Sequence, residues 1–227
     1  MVSRDELLEL LSVDFRRFLY DNLFSTENMS EAVTQTAAVT RKLNELTIET
    51  GIQQDSEARI YYDNAIFNPI YSKLFFKMQL STMQNVFAFI GIKSSTGEPT
   101  STMDESHAGF MIETVNNIPT LYATSGKIVN GNYMQQKIPI LDWVPTNYLV
   151  YRIVKDKFAA RPLPSVTPYF EGIEVVDTTR KWSKDIQTGD VTANNQDHYF
   201  VAYIRNTSGA NKAMTINFIL YGEEYAD

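Results

Sequence analysis

The segment from Arg59 to Ile92 places apolar residues at every second position over much of its length, which is the period of side chains along a β-strand. In residues 85–93 both faces of such a strand are apolar. One face carries Val86, Ala88, Ile90 and Ile92, and the other carries Phe87, Phe89 and Gly91. A strand that is apolar on both faces is buried between two layers. The segment therefore predicts a β-sandwich, and it carries no catalytic motif.

From Glu57 onward, short apolar segments alternate with turn residues, and helical periodicity is almost absent. The pattern predicts strands near 58–65, 71–81, 85–93, 107–115, 119–125, 133–140, 147–155, 166–176, 198–206 and 212–222. The last two are expected to form a hairpin around TSGA. The inward face of the final strand is predicted to carry Met214, Ile216, Phe218 and Leu220. Strands at this spacing without intervening helices favour a two-sheet antiparallel sandwich.

The N-terminal segment has a helical pattern. Ser3 and Glu6 form a capping box, in which each side chain satisfies a free backbone N–H at the start of a helix. An apolar stripe at helical spacing follows, and the helix is expected to end near Asp21–Asn22. The stripe consists of Leu7, Leu8, Leu11, Phe15, Phe18 and Leu19. A stripe of this size must bury against the sandwich or against another chain.

Residues 25–50 allow two interpretations. Ser30 and Glu31 could start a second helix, but the frequent Thr and Val residues compete with helix formation. The preferred prediction is a helix, and the alternative is an extended, Thr-rich arm. The run from Leu43 to Gly51 is expected to lead into the first strand. The predicted organisation is thus an N-terminal arm over residues 1–50 and a sandwich domain over 51–227.

Composition narrows the classes of function. The chain has 227 residues, no cysteine and a net charge of −7. The missing cysteines exclude thiol catalysis, Cys-ligated zinc and disulfides. The negative charge argues against a nucleic-acid partner, which needs a concentrated basic face. No apolar run reaches the roughly 18 residues of a membrane span, and the start MVSRDELLEL lacks the basic and apolar regions of a signal peptide.

Candidate catalytic residues are few. The two histidines, His107 and His198, each open a predicted strand, and no Gly-x-Ser-x-Gly elbow supplies a nucleophile. Glycosidases need two carboxylates facing one cleft, but Glu171 and Glu174 are three residues apart and would face opposite sides of a regular strand. The Glu223–Glu224 pair is expected to follow the last strand and face solvent. We therefore expect no enzymatic activity.

Binding residues are harder to exclude than catalytic ones. No cofactor is expected. Calcium is the one ion that the sequence could hold, at Asp104–Glu105 or in the loop 190–197. Ordinary turn chemistry explains the acidic and amide residues at both places. Tyrosines are enriched in the predicted strands, where they could stack on sugar rings or fill half-buried strand surfaces. They are Tyr61, Tyr62, Tyr71, Tyr122, Tyr133, Tyr148, Tyr151, Tyr169, Tyr199 and Tyr203.

The order of four segments resembles the concanavalin A-like (laminin G-like) jelly-roll sandwich. They are NVFAFIGI, HAGFMIE, TLYATSG and DWVPTNYLVYRIV. The corresponding residues are Phe89 and Gly91, Ala108–Phe110, Leu121–Ala123, and Trp143 leading to Tyr151–Ile153. The ending YIRNTSGANKAMTINFILYGEEY is similar to the closing hairpin of such domains in virion proteins of phages and archaeal viruses. The resemblance covers about residues 57–222 and does not include the metal-ligand loop of the lectins.

This resemblance implies a non-enzymatic structural protein of a virus or phage particle, assembled in the host cytoplasm and located in the virion. Its partners would be copies of itself and other virion proteins. The residues expected to carry assembly are Leu7, Leu8, Leu11, Phe15, Phe18 and Leu19. The alternative is a lectin-like module that binds host glycans.

Overall fold

Strands account for all the regular structure of the described chain. The computed structural model describes residues 15–21, 24, 26–64, 71–129, 132–140, 145–146, 149–156, 170–176, 184–187 and 198–224. The strands are β1 Phe15–Asp21, β2 Met29–Val33, β3 Ala38–Lys42, β4 Glu45–Glu49, β5 Glu57–Tyr62, β6 Tyr71–Leu80, β7 Val86–Lys93, β8 His107–Val115, β9 Ile118–Val129, β10 Asn132–Pro139, β11 Leu149–Asp156, β12 Phe170–Val176, β13 Lys184–Gln187, β14 Tyr199–Asn206 and β15 Ala213–Glu224. Within these residues no helix long and apolar enough to cross a membrane is found.

The strands form two antiparallel sheets. The eight-stranded sheet has the order β13-β12-β11-β6-β15-β4-β3, and β1 pairs with β15 outside this path. The seven-stranded sheet has the order β10-β9-β8-β7-β14-β5-β2. A continuous apolar core joins the two. In it, Phe76 and Tyr151 of the eight-stranded sheet are stacked with ring centroids 5.3 Å apart, and Phe110 of the seven-stranded sheet lies 4.7 Å from Tyr151. The predicted two-sheet sandwich is confirmed.

The strand predicted over residues 85–93 has the predicted environment. All eight residues of β7 are buried. Val86, Ala88, Ile90 and Ile92 lie in the core between the sheets, whereas Phe87 and Phe89 lie in a second apolar cluster. Both faces of β7 are therefore covered.

The predicted hairpin between the final two strands is wrong. β14 belongs to the seven-stranded sheet and β15 to the eight-stranded sheet, so they do not form a hairpin. The inward face of β15 also differs from the prediction. Met214 and Ile216 lie in the core, but a register shift between Ile216 and Phe218 puts Ile219, rather than Phe218 or Leu220, into that core. A bulge of this kind reverses the alternation beyond it.

The predicted N-terminal helix is wrong for residues 15–21, which form β1 and pair with Ile219–Glu224 of β15. β4 pairs with the first half of β15, and β1 continues the same edge along the second half. The unpaired backbone of that edge accounts for the strand, because long-range pairing outweighs a local helical pattern. Leu7, Leu8 and Leu11 lie outside the described residues. Phe15, Phe18 and Leu19 lie in β1, and an assembly role for all six residues stays a prediction.

The helix preferred for residues 25–50 is also wrong, because these residues form β2, β3 and β4. β2 pairs with β5 at the edge of one sheet, and β3 and β4 extend the other. Asn44, in the turn between β3 and β4, has φ of 61°, a conformation that Asn tolerates better than most residues. Strands from both sides of Gly51 pair with one another in these sheets, so the described part of the expected arm is built into the sandwich. An ion pair between Glu31 and Arg41 joins the sheets at this edge.

Candidate functional site

The outer face of the seven-stranded sheet, which is the face turned away from the core, carries a second apolar layer. The members of this outer layer are Phe87, Phe89, Met103, Met111, Val201 and Tyr203, and all are buried. Five of them come from β7, β8 and β14, whose cross-strand register places them side by side. Met103 comes from the loop of residues 94–106, which we call the covering loop. Antiparallel sheets commonly leave one face to water. An apolar layer on this face therefore marks a surface that the covering loop, or a ligand, shields from solvent.

The covering loop is held against the sheet at three places. At its base, Lys93 Nζ lies 2.7 Å from Glu105 Oε1 and donates to the carbonyl of Gly97 at 2.8 Å. In its first half, Glu98 contacts Tyr203 and Arg205. In its second half, the backbone N–H of Met103 donates to Gln135 of β10. The loop therefore contacts strands on both sides of the outer face, β14 through Glu98 and β10 through Met103.

Two glycines lie side by side in the central strands of the sheet. Gly91 of β7 pairs with Gly109 of β8. A Cβ atom at Gly91 would lie 2.3 Å from the carbonyl oxygen of Ala108, and one at Gly109 would lie 2.8 Å from the ring of Phe89. Only residues without side chains permit this close approach of the two strands and the Phe89 ring.

A buried phenol lies between two carboxylates on this face. The hydroxyl of Tyr203 lies 2.5 Å from Glu57 Oε2 and 3.0 Å from Glu98 Oε1. Burial, reinforced by the two carboxylates, raises the pKa of Tyr203 well above its ordinary value. The phenol is therefore neutral, and its single hydrogen can be donated to only one carboxylate at a time.

Three tyrosines border the outer layer and remain half-buried. They are Tyr61, Tyr122 and Tyr199. Tyr61 lies opposite Val201, and Tyr199 precedes Val201 by two residues, so the two tyrosines are diagonal neighbours on adjacent strands. Tyr122 lies on β9, with Lys137 Nζ 5.8 Å from its ring centroid. Tyr61 and Tyr199 thus form an aromatic pair, and Tyr122 stands apart from it.

The other tyrosines in the predicted set have different positions. Tyr62 and Tyr151 lie in the core between the sheets, and Tyr203 is buried in the outer layer. The side chains of Tyr71 and Tyr133, and all of Tyr148 and Tyr169, lie outside the described part of the structure. The sequence therefore identified tyrosine as the candidate binding residue, but it could not distinguish tyrosines in the core from tyrosines on the surface.

Both histidines are buried and hydrogen-bonded. His107 Nδ1 lies 2.8 Å from the carbonyl oxygen of Glu105, and its Nε2 lies 3.1 Å from Thr124 Oγ1. The Glu105 carbonyl can only accept, so Nδ1 carries the hydrogen and Nε2 accepts from Thr124. His198 Nε2 lies 2.9 Å from Ser106 Oγ. Both rings help to fix the base of the covering loop, because Glu105 and Ser106 are its last two residues.

The candidate metal and carboxylate sites gain no geometric support. Among the described residues, no group of three or more His, Asp or Glu side chains could hold a metal ion. Glu105 pairs with Lys93, and the loop 190–197 lies outside the described residues, so calcium there stays a prediction. β12, which contains Glu171 and Glu174, pairs with β11 without a register shift. Glu223 and Glu224 lie within β15 rather than after it, which corrects the expectation.

Comparison with known proteins identifies the fold. No family model matches the chain, and no curated protein sequence matches it. Solved structures do. The laminarinase catalytic domain of Thermotoga maritima is 10% identical, with a TM-score of 0.62 over 94% of this chain and 100% of that one. A legume lectin-like domain of Entamoeba histolytica is 12% identical, with a TM-score of 0.58 over 88% and 91%. A protein of unknown function from Shewanella oneidensis is 10% identical, with a TM-score of 0.59 over 100% and 98%.

The chain therefore has the concanavalin A-like jelly-roll fold, as its sequence segments indicated. At these identities the similarity extends to the fold alone, and proteins with this fold include both enzymes and lectin-like domains. None of the three proteins is described as part of a virus particle. A virion role for this chain, with virion partners and location, stays a prediction.

Two buried tyrosines provide a matched test of the structure. Among the described residues, the buried hydroxyl of Tyr151 has no hydrogen-bond partner, whereas that of Tyr203 has carboxylate partners. A buried, unpaired hydroxyl is costly, so Tyr151→Phe is expected to raise the free energy of unfolding by about 1 kcal/mol. Tyr203→Phe removes a bond to a charged group and should lower it by about 2 kcal/mol. Urea denaturation measures both, and equal effects of the two changes would contradict the assignment of partners.

Proposed function

We propose that this protein binds carbohydrate on the outer face of its seven-stranded sheet, beside the covering loop. The observation that carries the proposal is the pair of half-buried rings, Tyr61 and Tyr199, seated on a rigid apolar layer. Aromatic rings with one dry and one wet side suit the apolar faces of sugar rings, while their hydroxyls remain available to sugar hydroxyls. The lectin-like domain and the laminarinase with the same fold support this class of ligand.

The apolar layer beneath these two rings also supports the proposal. Tyr61 and Tyr199 contact the outer layer, whose members are buried and held by the register of β7, β8 and β14. A ring fixed in this way loses little conformational entropy when a ligand stacks on it. The tyrosines are also on strands rather than on loops, so their spacing is set by the sheet. Such a surface is preorganised for binding.

Hydrolysis is the competing activity, because Glu57 and Glu98 approach each other across the Tyr203 hydroxyl. A glycoside hydrolase needs the space between its two carboxylates for the scissile bond. Here the buried phenol of Tyr203 fills that space. For this reason we propose binding without cleavage. Release of reducing sugar ends from laminarin or another glycan by the purified protein would contradict this part of the proposal.

The proposal predicts which residues carry affinity. With a panel of soluble oligosaccharides, including those from laminarin, isothermal titration calorimetry should detect binding by the intact chain. Tyr61→Ala and Tyr199→Ala should each weaken it about tenfold or more, since 1.4 kcal/mol of lost stacking corresponds to a factor of ten. Leu43→Ala is the control, because Leu43 is exposed in the β3–β4 turn of the other sheet. Loss of affinity in that control, or no binding to any glycan, would count against the site.

A further inference from the structure

One cation on the outer face differs from the others in its partners. Lys93 pairs with Glu105 at 2.7 Å, Lys137 with Glu113 at 2.8 Å, and Arg205 with Glu98 at 3.7 Å. None of the described carboxylates forms an ion pair with Arg59. Among the described residues, the Nε atoms of Arg59 and Arg205 are both buried and without a hydrogen-bond acceptor, so the two arginines differ only in that Arg205 has a carboxylate partner. A desolvated, charged donor without an acceptor is costly, so a residue of this kind suggests an acceptor that comes from outside the chain.

Arg59 lies next to the proposed aromatic pair. It is two residues before Tyr61 on the same face of β5, and its guanidinium carbon is 5.5 Å from the centroid of the Tyr61 ring. Across the sheet it faces Tyr203 on one side and Ala32 of the edge strand β2 on the other.

The charge of Arg59 acts on its surroundings. Burial lowers the pKa of Lys93, and among the smaller contributions the positive charge of Arg59 lowers it further, while Glu105 opposes both. Glu57 lies on the same face of β5, two residues from Arg59, but its carboxylate accepts the short bond from Tyr203. Arg59 is therefore the cationic group beside Tyr61 on this face of β5.

We infer that Arg59 and Tyr61 form a subsite for an anionic sugar, one that carries a carboxylate or a sulfate group. This inference rests on the proposed glycan-binding function and names its ligand class. A guanidinium matches the planar carboxylate of a uronic acid, and the oxygens of a sulfate, with two parallel hydrogen bonds. The ring of the same sugar would stack on Tyr61, so charge and shape would be recognised together.

Arg205 provides a matched control for Arg59. Both are arginines on this face, and the guanidinium carbon of Arg205 lies 5.5 Å from the ring centroid of Phe87, the same distance as in the Arg59–Tyr61 pair. The difference is that Arg205 already has Glu98 as its carboxylate partner. If anion binding depends on an arginine that has no carboxylate partner, substituting Arg59 and substituting Arg205 should have different effects on it.

The test compares three oligosaccharides of equal length: a neutral glucan, a uronate oligomer and a sulfated oligomer. The intact chain should bind at least one anionic ligand about tenfold more tightly than the neutral one, with an affinity that falls as salt is added. Arg59→Gln should abolish this preference, whereas Arg205→Gln should retain it. Comparing the uronate with the sulfated ligand identifies the anionic group.

The outcomes separate this inference from the function on which it rests. If neutral and anionic ligands bind equally, or if Arg59→Gln keeps the preference, the anionic subsite is wrong and glycan binding stands. If none of the three ligands binds the folded protein, the proposed function fails, and the subsite fails with it. Circular dichroism of each variant confirms that the sandwich is intact.

Discussion

Replacing Glu105 by Ala is expected to lower the free energy of unfolding by about 3–5 kcal/mol, because it leaves Lys93 as a buried charge without its partner. The Lys93 side chain has no exposed surface, and burial lowers the pKa of its ammonium group. The carbonyl of Gly97 remains as an acceptor, but a neutral dipole does not replace a carboxylate. Urea denaturation at pH 7 measures the loss.

The pH dependence of this variant distinguishes a buried charge from lost packing. Without Glu105, the folded state should lose the Lys93 proton well below the pH at which the unfolded chain loses it. The unfolded state then binds more protons than the folded state, so stability should rise with pH and recover part of the loss near pH 10. Adding Lys93→Met to the variant should have the same restoring effect.

Glu113→Ala is the control for this prediction. Its partner Lys137 is 23% exposed and can be solvated when the carboxylate is removed. The expected cost is about 1 kcal/mol or less, without recovery at high pH. Equal losses in the two variants, or a Glu105→Ala profile parallel to that of the parent chain, would show that the Lys93–Glu105 pair does not depend on burial.

The sequence predicted the central strands well and the edge of the sandwich poorly. In β7 and β8 apolar residues occupy both faces, and this pattern allows few structures other than a doubly covered strand. In β1 the residues FRRFLYD fit a helical stripe as well as a strand. The free edge of β15, about 200 residues away along the chain, decides between them. A window of local sequence does not contain that partner.

The candidate site shows the same limit. Tyrosines in strands could be recognised from the sequence, but their positions on the core or outer face depend on register and bulges. The partners of Lys93, Tyr203 and Arg59 could not be recognised at all. Glu57 and Glu98 reach Tyr203 from separations of 146 and 105 residues, the first through the pairing of β5 with β14 and the second through the folded covering loop. The unpaired state of Arg59 is likewise a property of the assembled face.

His107 is expected to make the fold sensitive to mild acid. Burial is the main cause that lowers its pKa from 6.5 to about 4, and the nearby Lys93 and Lys137 lower it further against the opposing contacts of Glu105. The unfolded chain takes up a proton near pH 6.5, whereas the folded chain resists it until about pH 4. The contribution of His107 is therefore complete above pH 6.5 and is lost as the pH falls from 6.5 to 4, by about 3 kcal/mol in total.

His107→Gln isolates this contribution, because glutamine keeps a polar group at the position but does not titrate. The variant should be less stable than the parent chain at pH 7, since it loses the bonds to Glu105 and Thr124. Between pH 6.5 and 4 the difference in the free energy of unfolding between parent and variant should shrink by about 3 kcal/mol. Only the parent chain is destabilised by protonation of His107 on unfolding, whereas the carboxylates titrate in both chains. Denaturation midpoints measured across this range test the change in this difference. Parallel profiles, or an imidazole that titrates near pH 6.5 by NMR in the folded protein, would mean that water reaches His107 and that the base of the covering loop opens readily.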